Sequence, residues 1–148
     1  MIIRKLGPAD NIAGAILLLQ RFFREEGFDT ADAVIAANAR KMAGIETCGL
    51  FAAEDGGGTI GVATVSLEFG VEYGWSAEMG ELYIVPEWRG RGLAREMAGE
   101  IEAFLKERGA RGYQVTVTPY ASEQHDLANF YPRLGFANEG RLILYKKF

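Results

Sequence analysis

Apolar and polar positions change their period several times along the chain, and each change marks an element. Met1 to Leu6 reads as an opening strand, and Pro8 with Asp10 marks a helix start. Ile12, Ile16, Leu19 and Phe23 recur at helical spacing, which predicts a helix to about Glu26, ended by Gly27. Thr30 can cap a second helix through about Ala43, with Gly44 as its stop. Gly49 to Glu54 looks extended, and Asp55-Gly56-Gly57-Gly58 reads as a hairpin turn. Gly61, Ala63, Val65, Leu67 and Phe69 then alternate with Val62, Thr64, Ser66 and Glu68, completing an antiparallel pair. A further strand is predicted from about Glu78 to Val85, ending at Pro86. Leu93, Met97, Ile101 and Phe104 form the stripe of a helix from about Gly92 to Arg108, with Gly109 beyond it. A buried strand from Tyr113 to Thr118, a break at Pro119, a short helix from about Glu123 to Leu134 and a last strand around Leu142 to Tyr145 complete the order. That order predicts an α/β (mixed α+β) fold, a mixed sheet with helices on both faces.

Composition narrows the possibilities. At 148 residues, 49% hydrophobic and 24% charged, the chain suits one globular domain spanning 1–148. The net charge of -4 gives no general positive field, which argues against nucleic acid or an anionic membrane as partner. The longest apolar stretch, Ala15 to Leu19, falls far short of the roughly 20 residues that span a bilayer. Cys48 stands alone and no long apolar signal region opens the chain, so a reducing cytoplasm is the expected compartment. With His125 as the only histidine, a histidine-based metal cluster is excluded and no metal is expected. Monomer and homodimer both stay open.

The most informative segment runs Glu81-Leu82-Tyr83-Ile84-Val85-Pro86-Glu87-Trp88-Arg89-Gly90-Arg91-Gly92-Leu93-Ala94-Arg95. A strand turns through glycines into a helix, which is anion-binding architecture. First-turn N–H groups lack intrahelical partners, and glycines let the backbone approach a ligand closely. A diphosphate suits such a turn, with Arg89, Arg91 and Arg95 adding positive charge. Two other phosphate motifs fail here: the third glycine of G-x-G-x-x-G would fall on Arg95, and no Gly-Lys-Ser/Thr triplet exists.

Arg89-Gly90-Arg91-Gly92-Leu93-Ala94 resembles motif A of the GCN5-related N-acetyltransferase (GNAT) family, whose signature is Arg or Gln, x, x, Gly, x, Gly or Ala. About forty residues on, Phe130-Tyr131-Pro132-Arg133-Leu134-Gly135-Phe136 resembles its motif B, although Gln124 and Leu127 stand where that pattern often has Asn and Ala. The resemblance implies a mixed, mainly antiparallel twisted sheet and acetyl-CoA as cosubstrate. It further implies that Leu82, Tyr83 and Ile84 pair by backbone with the pantetheine arm, and that N–H groups of Gly90, Arg91, Gly92, Leu93, Ala94 and Arg95 hold the pyrophosphate. By the same resemblance, Tyr131 lies close to the thioester sulfur.

An alkyl ammonium of pKa near 10.4 costs roughly 4.6 kcal/mol to deprotonate at pH 7, so acetyl transfer to an amine calls for a base. Glu81 and Glu78 are the candidates. Tyr131, protonated at pH 7, is the candidate donor to the leaving thiolate. Cys48 reads as a buried structural thiol, and His125 as a helix-start polar residue. Glu25, Glu26, Asp29 and Asp32 lie near Phe22, Phe23 and Phe28, while Glu68, Glu72, Tyr73, Trp75 and Glu78 make a second mixed group. Such groups suit a small-molecule amine acceptor such as an aminoglycoside or polyamine. A protein or peptide amine, and a noncatalytic acyl-CoA-binding module, are the alternatives.

Overall fold

The computed structural model describes residues Met1–Phe148, whose contacts divide into two units, Met1–Thr116 and Val117–Phe148. In the first unit the elements run β1 (Ile2–Leu6), α1 (Ala13–Glu25), α2 (Asp32–Ala43), β2 (Cys48–Asp55), β3 (Gly58–Gly70), β4 (Gly74–Ile84), a 3-10 turn (Pro86–Trp88), α3 (Leu93–Glu107) and β5 (Tyr113–Val115). The five strands form one sheet in sequence order. β1 to β4 are antiparallel neighbours, and β5 joins β4 in parallel. No helix is long and apolar enough to cross a membrane.

Strand alternation sorts side chains between two cores. Leu50, Ala52, Val62 and Tyr83 join Leu6 and the stripes of α1 and α2, including Ile16, Leu19, Ile35 and Ala39. The intervening residues face α3: the Phe51 ring lies 5.6 Å from that of Phe104, and Gly61 lies against Met97. Helices therefore cover both faces, as the sequence predicts. Leu93, Met97, Ile101 and Phe104 are all buried on the sheet side of α3. Each such burial contributes about 1.5–3 kcal/mol, against about 1 kcal/mol for an N-cap. Packing thus holds α3 in place although no side chain caps its N-terminus.

Several predicted boundaries shift, each for a local reason. Helix α2 begins at Asp32 with Ala31 before it and no side-chain cap, so Thr30 is not the cap. The strand expected to be buried over Tyr113–Thr118 is an edge strand of three residues, half-buried at Tyr113 and Val115. Its ladder with β4 covers only Ala77–Met79, because β4 loses its regular register immediately afterwards.

In the Val117–Phe148 unit, the single predicted helix is two short ones, α4 (Pro119–Gln124) and α5 (Leu127–Arg133). Thr118 caps α4 by accepting from the Ala121 N–H at 3.1 Å, and Pro119 occupies the first turn, where proline starts a helix. His125 ends α4 instead of starting a helix. The last predicted strand does not form: Leu142, Ile143, Leu144 and Tyr145 are exposed and lie outside any strand. Four consecutive apolar residues lack the alternation of a half-buried strand, and this unit contains no strand to pair with them.

Gly14 tests the packing of α1 on β3. A Cβ there would lie 2.8 Å from the Thr59 Cβ, with the Thr59 Oγ1 closer still. Alanine is the better helix former by up to about 1 kcal/mol, but overpacking costs about 1–3 kcal/mol. Gly14→Ala is therefore expected to lower the midpoint of urea unfolding, whereas a rise would show that α1 can lift away freely.

Candidate functional site

Glu78 and Glu81 are three residues apart, a spacing that sends side chains to opposite faces of a regular strand. β4 is not regular here. Met79 pairs with Val65, but Leu82 pairs with Ala63, so Gly80 and Glu81 together stand opposite Thr64. The extra residue is a β-bulge, and it resets the alternation. Glu78, opposite Ser66, and Glu81, against Thr64, consequently share the α1 and α2 face of the sheet.

Thr64 holds the bulge together. It is buried, its Oγ1 accepts the Glu81 N–H at 3.0 Å, and the same hydroxyl donates to Glu81 Oε2. A Cβ at position 80 would come 2.9 Å from that oxygen, so glycine leaves the hydroxyl room. Burial pushes the Glu81 carboxyl above its ordinary pKa; the Thr64 hydrogen bond opposes the shift and the nearby Glu78 charge adds to it. Glu78 is held by donors from the β5 side, Gln114 Nε2 at 3.1 Å and Thr116 Oγ1 at 3.3 Å. The pair thus combines a desolvated carboxyl of raised basicity with a neighbour fixed by hydrogen bonds.

β5 pairs with β4 only as far as Met79, so within Met1–Thr116 the ladder on that edge stops before Leu82, Tyr83 and Ile84. Their side chains point into the protein: Tyr83 and Ile84 are buried and Leu82 is half-buried. What this stretch can offer an extended ligand is backbone. The chain then turns through Gly90 and Gly92, whose φ values of 74° and 87° favour glycine. Gly92 precedes the uncapped first turn of α3, where the N–H groups of Leu93 and Ala94 lack intrahelical acceptors. Glycine backbone, open space at both glycine Cβ positions and an uncapped helix start together fit a diphosphate.

The three arginines of the turn differ. Arg91 packs over the Trp88 ring at 5.3 Å, and Arg95 is exposed on the first turn of α3. Arg89 folds back along its own turn, its Nε donating to the Ile84 carbonyl at 2.8 Å. Tyr131 lies on α5 in the Val117–Phe148 unit, its ring 5.0 Å from Phe130 and 5.5 Å from Phe136.

The two acidic-aromatic groups also separate. Glu25 accepts from the Tyr83 hydroxyl at 2.8 Å, Asp32 pairs with Arg24, and Glu26 is buried. Glu68 lies opposite Ser76 on the face that carries Glu78 and Glu81, while Phe69 and Trp75 pair on the other face with their rings 5.3 Å apart. Cys48 is half-buried instead of buried, its Sγ 3.7 Å from Ser66 Oγ. Sequence reading misses Thr64, Gly80, Gln114 and Thr116. The one available signal is Gly80, because an isolated glycine within a strand pattern suggests a bulge.

The sequence matches the Acetyltransferase (GNAT) domain over residues 46–138. No curated protein matches it. Among solved structures, the aminoglycoside N-acetyltransferase AAC(6')-Iy in complex with CoA has a TM-score of 0.82 at 18% identity, covering 99% of this chain and 93% of that one. The aminoglycoside acetyltransferase meta-AAC0020 from an uncultured soil metagenomic sample, in complex with sisomicin, gives 0.79 at 16% identity, covering 99% and 95%. A transcriptional regulator from Bacillus halodurans C-125 gives 0.80 at 20% identity, covering 99% of each chain. At such identities the likeness is one of fold.

Thr64→Val keeps the shape of the side chain and removes its hydroxyl. The Glu81 pKa is expected to rise further, since a lowering contribution is lost, and Thr64→Ser should restore it. Carbon-13 NMR titration of the Glu81 carboxyl reads this directly; an unchanged or lower pKa in the valine variant would disprove the coupling.

Proposed function

The chain belongs to the GNAT acetyltransferase family, and from that membership we propose that it moves the acetyl group of acetyl-CoA directly to a primary amine of a small cationic molecule, such as an aminoglycoside or polyamine. The observation that carries this reading is the bulge that brings Glu81 and Glu78 to one face beside the strand end at Leu82–Ile84. In this reading the whole chain acts as one acetyltransferase domain, since the family match runs from the sheet into α5. Acetyl-CoA supplies an activated acyl group. Backbone of Leu82, Tyr83 and Ile84 pairs with its pantetheine, and N–H groups from Gly90 to Arg95 hold its diphosphate.

The residues then divide the proton traffic. Glu81, directly or through water, takes a proton from the acceptor ammonium, freeing the nitrogen lone pair to attack the thioester carbonyl. The C–N bond forms and the C–S bond breaks; the Tyr131 hydroxyl donates to the departing sulfur, and the proton that the nitrogen loses on becoming an amide passes through water to restore that hydroxyl. A backbone N–H of β4 near Ile84 polarises the carbonyl oxygen. Glu78 and Glu68, with Ser66 and Ser76 beside them, make the same face acidic and favourable to further ammonium groups of the acceptor. A carboxyl of raised basicity at the edge of the cofactor strand favours a catalyst over a noncatalytic binding module.

Mass spectrometry of an amine library incubated with acetyl-CoA is expected to show one added acetyl group on a small polyamine or aminosugar. Acetylation of peptides alone would replace that acceptor class, and cofactor binding without any transfer would support the noncatalytic module. Tyr131→Phe is expected to lower kcat about a hundredfold, in keeping with loss of a general acid, with acetyl-CoA affinity kept.

Glu81→Gln separates activity from stability. The base acts as carboxylate, so kcat/KM rises with pH through the Glu81 pKa, placing this limb above the ordinary value of 4.5; the limb disappears in the glutamine variant, with a loss of about a hundredfold. For folding the sign is opposite. A carboxyl whose folded pKa is raised contributes stability below its unfolded pKa and loses it as pH rises through the folded one. Glu81→Gln should therefore unfold at a higher temperature at pH 7, and that advantage should vanish in acid. A variant less stable at pH 7 would contradict the desolvation assigned to Glu81.

A further inference from the structure

Arg89 opens the glycine turn, and although its side chain is exposed, its guanidinium is engaged by neighbouring protein groups. Its Nε donates to the Ile84 carbonyl at 2.8 Å, its guanidinium lies 5.3 Å from the centre of the Tyr83 ring, and a terminal nitrogen sits 3.5 Å from Glu25 Oε2. The other Glu25 oxygen accepts from the Tyr83 hydroxyl at 2.8 Å. Three segments meet here: the last residue of α1, the end of β4, and the start of the glycine turn.

The placement of Glu25 is informative. It ends α1, where the helix dipole disfavours a carboxylate. A hydrogen-bond donor, Tyr83, and a cation, Arg89, both from outside α1, compensate for that position. The Tyr83 phenol, buried and beside an anion, titrates above its usual range and so remains a donor. Arg89 and Glu25 are both well exposed, and an exposed ion pair alone adds little stability. The arrangement matters for geometry: it fixes the Ile84 carbonyl, hence the angle at which the chain leaves β4 and the direction of the amides from Gly90 to Ala94.

We propose that Arg89, Glu25 and Tyr83 form a clamp in which Arg89 is a positioning residue for the diphosphate-holding turn and not a phosphate ligand. The inference rests on the acetyl-CoA reading above. The two roles of Arg89 make opposite predictions for Glu25, which lies on α1 and not in the turn. If Arg89 held phosphate, removing Glu25 would free the guanidinium, and affinity would stay the same or tighten. If Arg89 positions the turn, removing Glu25 loosens it and affinity falls.

The test is calorimetric titration of acetyl-CoA into the native protein and the Glu25→Ala, Tyr83→Phe and Arg89→Gln variants. Each substitution is expected to weaken binding about three- to tenfold, and Glu25→Ala combined with Arg89→Gln should be no worse than the stronger single change, the signature of residues acting as one unit. Turnover of acetyl-pantetheine, which lacks the diphosphate, should be unchanged in Glu25→Ala, whose altered residue lies on α1 outside the cofactor strand and turn. Undiminished or tighter binding in Glu25→Ala would overturn the clamp, as would an equal loss with acetyl-pantetheine, the mark of general damage. Tyr83→Phe loses only a hydroxyl and gives a second reading should Glu25→Ala perturb α1. Failure of the native protein to bind acetyl-CoA would instead remove the functional reading, and the clamp with it.

Discussion

The organisation of the site depends on one extra residue in β4. Had that strand kept a regular ladder with β3, Glu78 and Glu81 would lie on opposite faces, one of them against α3. The bulge opposite Thr64 puts both on the face of α1 and α2 and coincides with the end of pairing to β5. Two properties that the proposed reaction uses together, a carboxylate pair on one face and backbone without a strand neighbour within the first unit, thus coincide at a single irregularity. A bulge leaves backbone groups unpaired, and a buried unpaired N–H costs about 1–3 kcal/mol. The Thr64 hydroxyl meets that demand at Glu81 and also donates to the carboxylate of the same residue.

The hydroxyl and the burial act in opposite directions on Glu81. Burial destabilises the carboxylate and raises its proton affinity, while the donor from Thr64 stabilises it. Burial prevails, so the carboxyl binds protons more strongly than an ordinary glutamate but keeps a fixed orientation. In the proposed reaction that balance suits a base, because a carboxylate with several strong donors would be too weak an acceptor for a proton from an ammonium. Glu78 is held in place from the β5 side by Gln114 and Thr116.

Legibility in the sequence follows from how local each feature is. The stripe of α3, the hairpin at Asp55–Gly58 and the glycines at 90 and 92 are short-range patterns, and the structure carries all of them. The bulge is different in kind, since it is a relation between β3 and β4, and Gly80, its one signal in β4, does not say which residue of β3 lies opposite. Thr64 looks like one polar position of an alternating strand until its partner register is known. The acidic residues near the end of α1 show the same gap. Their charges suggest a binding surface, but Glu25 and Asp32 are engaged by Tyr83, Arg89 and Arg24. Leu142–Tyr145 fails for a further reason, because a run of apolar residues specifies burial only where a partner ladder exists.

The same contrast explains why the proposed cofactor site is readable and the proposed acceptor site is not. Backbone recognition of an extended arm and a diphosphate asks for a strand end, positive-φ glycines and an uncapped helix start, all packed into Leu82 to Arg95. Those demands fall on a contiguous stretch and leave a motif. Selection of an amine rests instead on side chains from separate strands, Ser66 and Glu68 on β3, Ser76 and Glu78 on β4, brought to one face by register. Slipping β4 by one residue against β3 would send Ser76 and Glu78 to the opposite face and leave Ser66 and Glu68 behind. In the proposed reading, acceptor specificity is therefore written in the register of β3 against β4, and the bulge sets the proposed base on the same face as the surface proposed to choose its substrate.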